Sequence, residues 1–170
     1  WIDFSAVDIK PDDYFGNVRR VDRFLQARAL AKLGKPVVIE RFDDPSGTAP
    51  IAVNAGYQPQ RNNVDITAAI VQPPFYVPGA DAAVNYCTIG AVIGHELTHG
   101  FDSQGRQYGP AGNLRNWWTP QATAKFTQRT DVLVDQYNQY QILPGLMHNG
   151  RQTLGENTAD LGGITLAHAA

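Results

Sequence analysis

The sequence predicts an α+β fold, mainly helical with a small β-sheet. Three observations carry this. Apolar residues recur at helical spacing over several long stretches, β-like runs are few and short, and loops rich in Gly and Pro separate them.

The first helix is expected over Asn17 to Leu33, where Val18, Val21, Leu25, Ala29 and Leu33 share a stripe. Gly34 and then Pro36 end it in the order that helix C-termini favour. Residues 43–50 read as a turn-rich loop. Ile51-Ala52-Val53 and Val64 to Ile66 read as short strands, and Gln72 to Gly79, with three prolines, as loop. Asp81 caps a helix expected to run through His99. Its middle, Ile89 to Ile93, is apolar all round and therefore buried, with Cys87 a small core residue. Gly100 to Trp118 is loop, with Trp117 and Trp118 as core or loop anchors. Thr119-Pro120 then starts a helix through Tyr140, which Gly145 to Gly150 breaks. A final helix opens at Thr153.

Composition narrows the possible functions. The chain has 170 residues, 43% hydrophobic and 18% charged, with a net charge of -2, so a folded core is within reach. Its basic residues do not cluster, which argues against a nucleic-acid partner. No apolar run is long enough to span a bilayer. Cys87 is the single cysteine, so no internal disulfide forms, and localisation stays open. The start at Trp1 and the uncapped stretch up to Ala170 predict a piece of a longer chain, truncated at both ends.

The chemistry concentrates in His95-Glu96-Leu97-Thr98-His99. On a helix, positions i and i+4 share a face about 6 Å apart along the axis, so two imidazoles can hold one zinc ion. The intervening Glu96 can reach a water on that metal and act as general base. From Ala82 to Gly105 there is no Lys or Arg, yet Glu96 and Asp102 lie there. Carboxylates buried without a cationic partner are costly, and a divalent metal supplies the missing charge.

The third ligand follows by elimination. Metzincins place Gly and then His at the positions held here by Asp102 and Gly105, so that class is excluded. Glu156 is the only glutamate downstream of Glu96. Asp160, four residues on, shares its helix face and can orient a ligand histidine. Asp102, at i+3 from His99, suits the same role or is a loop residue. Glu156 also fits a capping box with Thr153, in which it only closes a helix start. His148 and His168 read as ordinary residues.

Beyond the motif, the chain resembles the catalytic domain of the neprilysin and endothelin-converting-enzyme family of zinc peptidases. The matching residues include Asn85-Tyr86, Ile89 through Asp102, Gly112-Asn113-Leu114-Arg115-Asn116-Trp117-Trp118, and Thr153 through Gly163. Gln72-Pro73-Pro74-Phe75-Tyr76 and Asp13 to Asn17 extend the likeness. The resemblance implies a thermolysin-like zincin core. It implies one Zn²⁺ per chain on His95, His99 and Glu156, with Asp102 and Asp160 supporting the histidines and Asp160 counted with Glu96 in the catalytic set. It also implies that Asn54 and Ala55 bind the backbone of a peptide substrate at a strand edge.

The implied activity is endopeptidase hydrolysis of short peptides, with Glu96 activating a zinc-bound water. The alternatives are a non-catalytic zinc domain that binds peptides, and a metal-free scaffold. Residues 1–170 then form part of a single catalytic domain, without the family's helical capping domain. The oxyanion-binding His and Arg that the family carries after its Glu-bearing helix are also outside it. Gly56 stands where the family usually has an aromatic residue, and Cys87 where it usually has glycine.

Overall fold

The computed structural model describes residues 2–36 and 49–170. These fall in two compact units, residues 1–47 and 48–170. The first holds helix α1 (Tyr14–Leu30), three residues earlier at both ends than the apolar stripe predicts. The earlier start follows from Asp13, whose carboxylate accepts the Gly16 N–H and caps the helix. Residues 43–48 of the expected turn-rich loop lie outside the described residues.

In the second unit, β1 (Ala55–Gln58) and β2 (Asn63–Ile66) form an antiparallel pair, with Ala55 opposite Ile66 and Gln58 opposite Asn63. The first strand therefore begins after Ile51-Ala52-Val53 and not on it. Thr67 is buried, and its hydroxyl donates to the carbonyls of Ala52 and Asn54, which fixes the approach to β1.

Asp81 caps α2 (Ala82–Asn85), whose backbone passes through a π-helical turn (Tyr86–Gly90) into α3 (Ala91–His99). The expected single helix is thus interrupted by a wide turn, a feature often found next to functional sites. Ile89 is buried in that turn, but Cys87 is exposed. That corrects the expectation of a core cysteine: Cys87 lies in the wide turn and lines an open hollow, not the packed core. Helix α4 (Pro120–Tyr137) starts where Thr119 accepts the Ala122 N–H through its side chain. A hairpin follows, β3 (Gln141–Leu143) with β4 (Leu146–Met147), turning at Gly145 with φ near +79°. Helix α5 (Leu154–Ala169) completes the unit.

The packing of α3 on α5 positions the site, and glycines make it possible. A Cβ on Gly94 would stand 3.0 Å from the Gly163 backbone, and one on Gly163 would meet the Ala91 carbonyl at 2.5 Å. A Cβ on Gly162 would overlap the Thr98 side chain. The two backbones touch here, so short side chains on α5 reach the histidine face of α3. The core of the unit is small: Ile70, Ile89, Val134, Leu154, Ala159 and Ala167 are its buried apolar residues. Among the described residues, no helix is long and apolar enough to cross a membrane.

Candidate metal centre

Two histidines, four carboxylates and one strand converge at the α3–α5 seam. His95 and His99 lie one turn apart on α3, and their Nε2 atoms approach to 2.9 Å. The outer nitrogens are both engaged. His95 Nδ1 lies 2.7 Å from Asp160 Oδ1, and His99 Nδ1 lies 2.7 Å from Asp102 Oδ2. A carboxylate accepts only, so the hydrogen-bond network assigns the proton of each neutral ring to Nδ1. Both Nε2 lone pairs then point at the same space. Two lone pairs at that separation repel unless a proton or a cation lies between them.

Glu156 completes the cluster from α5. Its Oε2 lies 3.4 Å from His95 Nε2 and 3.6 Å from His99 Nε2. Ligands at 2.0–2.1 Å around a tetrahedral zinc stand ~3.3 Å apart, so three atoms at 2.9, 3.4 and 3.6 Å suit one such ion. The donor set is also chemically suited, since two imidazoles and a carboxylate fit zinc better than calcium or magnesium. Glu156 makes no capping box. Thr153 gives no side-chain cap, and its hydroxyl accepts from Asn157 Nδ2 instead.

Glu96 also lies close. Ligand atoms from His95, Glu96 and His99 all fall within 4.8 Å of one another. On that geometry alone Glu96 could ligate as well as serve as base. It is 8% exposed, whereas the Glu156 side chain is 67% exposed. Burial pushes the Glu96 carboxyl above the usual range, against the pull of His95 and His99, while Glu156 pushes it up further. A backbone hydrogen bond from Tyr57 on β1 opposes the rise.

Asp102 is 5% exposed and behaves differently. Burial pushes its carboxyl up, but hydrogen bonds from His99 and from the Gly105 and Gln104 N–H groups outweigh this, and it sits below the usual range. His99 is correspondingly raised, first through its hydrogen bond to Asp102 and against desolvation, with Glu156 and Glu96 adding to the rise. The buried carboxylates expected between Ala82 and Gly105 are therefore both present.

Asn54 and Ala55 stand at the start of β1, beside this cluster. With His95 and Glu96 they line two adjoining hollows, of about 950 and 480 Å³. The larger includes Val92, Leu161 and Ile164; the smaller includes Tyr57, Gln104 and Gln152. Tyr57 and the exposed Cys87, which also lines the larger hollow, are site neighbours that sequence reasoning left out. No local signal marks Tyr57, because its contribution is a backbone group. His148 packs against the Tyr137 ring and His168 lies in the last turn of α5, so neither is among the residues that line these hollows.

Residues 54–170, which include all of these groups, match the model of peptidase family M13. The chain belongs to peptidase family M13. It is 44% identical over 167 residues to an endothelin-converting enzyme homolog from Locusta migratoria, covering 98% of this chain and 22% of that protein. It is 42% identical over 160 residues to neprilysin-11 of Caenorhabditis elegans, covering 94% of this chain and 18% of that protein. The crystal structure of Mycobacterium tuberculosis zinc metalloprotease ZMP1 with an inhibitor superposes with a TM-score of 0.86 at 47% identity, over 98% of this chain and 26% of that one. The chain thus spans about a fifth to a quarter of the length of these M13 relatives. Its mainly helical α+β architecture is that of the M13 structure.

Proposed function

We propose that these residues form the zinc-binding catalytic core of a metalloendopeptidase that hydrolyses short peptides. The observation that carries the reading is the pair of Nε2 lone pairs facing each other at 2.9 Å, with the Glu156 carboxylate at 3.4 and 3.6 Å. His95, His99 and Glu156 would hold one zinc ion per chain. Asp160 and Asp102 fix the tautomer and angle of the two rings. A zinc ion there would act as Lewis acid and bring the pKa of a water to about 7.

The chain's own residues then manage the proton and the peptide. Glu96 accepts the proton of the attacking water and returns it to the leaving amine. Its raised pKa suits that exchange, because a carboxylate destabilised by burial is the stronger base. Asn54 and Ala55, at the start of β1, would take up the peptide backbone by strand addition. The peptide would cross between the two hollows, with the scissile bond over the residues that they share.

Glu96→Gln tests the division of roles. Zinc content should remain at one per chain while cleavage falls by at least roughly 10²–10⁴-fold. Loss of zinc in this variant would make Glu96 a ligand, and near-normal cleavage would remove it from the chemistry. Full zinc without turnover in the unaltered protein would leave peptide binding as its role.

A further inference from the structure

Away from the zinc cluster, a separate hollow of about 390 Å³ is lined by Arg106, Gln107, Leu114, Arg115, Asn116 and Thr123. Its chemistry is one-sided. Two guanidinium-bearing residues line it and no acidic residue does. Among the described residues, neither Arg106 nor Arg115 forms an ion pair with a carboxylate. From α4 only Thr123 lines the hollow; the helix start itself is closed by Thr119, which takes the Ala122 N–H on its hydroxyl and the Thr123 N–H on its carbonyl.

Arg106 is rigidly held. Its guanidinium carbon lies 5.5 Å from the ring centroids of both Trp118 and Phe126, which meet edge to face. Its Nε is buried without a hydrogen-bond partner. Aromatic faces steady a guanidinium but accept few of its five N–H bonds, so the group stays under-satisfied. Arg115 is exposed, and its backbone N–H donates to the Gln107 carbonyl at 2.7 Å, which ties together two of the segments that line the hollow. One arginine stacked on aromatic rings, one exposed arginine and the residues Asn116 and Thr123 thus line one space, with no acidic residue in its lining.

We propose that this hollow is an oxyanion site that takes a phosphate group. Phosphate matches the lining: forked guanidinium donors recognise its oxygens in pairs, and the hydroxyl and amide of Thr123 and Asn116 supply further donors. The site is independent of the zinc cluster and would stand if the peptidase reading failed.

The test uses the intact zinc-loaded protein with inorganic phosphate as the probe, titrated calorimetrically against chloride at equal ionic strength. Saturable binding of one phosphate is expected. Arg115→Gln, an exposed change, should weaken it about tenfold or more, the usual scale for a charge-assisted pair. Thr123→Asp places a carboxylate in the hollow at a helix start that tolerates it, and should abolish binding without lowering Tm. A parallel titration with glycerol 3-phosphate separates the sources: tighter binding of the ester points to a phosphate carried on a larger molecule, tighter inorganic phosphate to the free ion. Phosphate binding left intact in both variants would place it elsewhere, at the metal for instance, and overturn the proposal. So would the absence of any phosphate effect beyond that of chloride.

Discussion

The His99–Asp102 pair lets one contact set a pH response and, if His99 holds zinc as proposed, metal affinity as well. The hydrogen bond between them holds His99 above its usual range and Asp102 below, so the pair favours imidazolium against carboxylate. The stability from His99 is fully present below its unfolded pKa of about 6.5 and is lost as pH rises through its higher folded value. That from Asp102 is present above about 3.9 and is lost as pH falls through its lower folded value. Zinc requires the neutral ring, so protons compete with it. Zinc affinity should therefore decline on acidification from a pH above the ordinary histidine range, as measured by competition with a chelator. Asp102→Asn should cost about 10–100-fold in zinc affinity, the usual effect of losing a carboxylate behind a ligand histidine. Unchanged affinity would make Asp102 a loop-fixing residue, held only by its Gln104 and Gly105 contacts.

Helix α5 acts through its closeness to α3. Gly163→Ala puts a methyl 2.5 Å from the Ala91 carbonyl and 2.8 Å from the His95 backbone nitrogen. The helices must part, at a cost of about 1–3 kcal/mol as for an overpacked core. Glu156 and Asp160 should move with α5, so both Tm and zinc affinity should fall. A variant that loses Tm but keeps zinc would show that the carboxylates follow the metal and not the helix. Thr119→Ala is the contrasting change. It removes the cap of α4 and should lower stability by about 1 kcal/mol with zinc affinity unchanged, because α4 supplies none of the proposed ligands.

How far these elements could be read beforehand depends on where their information lies. Thr119-Pro120 and Asp81 mark helix starts through local hydrogen bonds, and both stand where the sequence puts them. The approach of His95 to His99 was equally legible, because helix geometry fixes the i, i+4 interval, and Glu156, the lone glutamate downstream of Glu96, does lie beside them. The π-helical turn at Tyr86–Gly90 was not, since its cause is tertiary packing and its composition suits an ordinary helix. For the same reason the sequence misplaces Cys87. The Gly94–Gly163 contact escaped too, because a missing side chain announces nothing about what approaches it.

At the scale of the whole molecule, the second unit has a small core and much open apolar surface. Leu161, Ile164 and Leu166 on α5 are 54%, 65% and 48% exposed, and Val132 on α4 is 66% exposed. Exposed apolar surface of this kind marks places that bind ligand or protein, and Leu161 and Ile164 also line the larger hollow. Residues 1–170 produced alone are therefore expected to self-associate as concentration rises, by sedimentation velocity. Leu161→Gln with Ile164→Gln should suppress that association while sparing the zinc ligands. A monomer at all concentrations would show that the exposed face is tolerated in water.

Tyr57 joins two tasks that are usually described apart: it lies on β1 and lines the smaller hollow with Glu96, whose carboxyl its backbone draws slightly down. On the proposed function, the strand that receives the peptide is also the strand beside the base, so β1 would work as a lever with the substrate at one end and the proton acceptor at the other. Residues of a peptide far from the scissile bond could then improve the aim of Glu96 without touching it. Binding energy gathered at a distance would appear in turnover and not in affinity. In a series of peptides lengthened one residue at a time along β1, kcat should climb while KM stays nearly level. A series in which KM falls and kcat stands still would mean that the lever is rigid and that β1 only holds on.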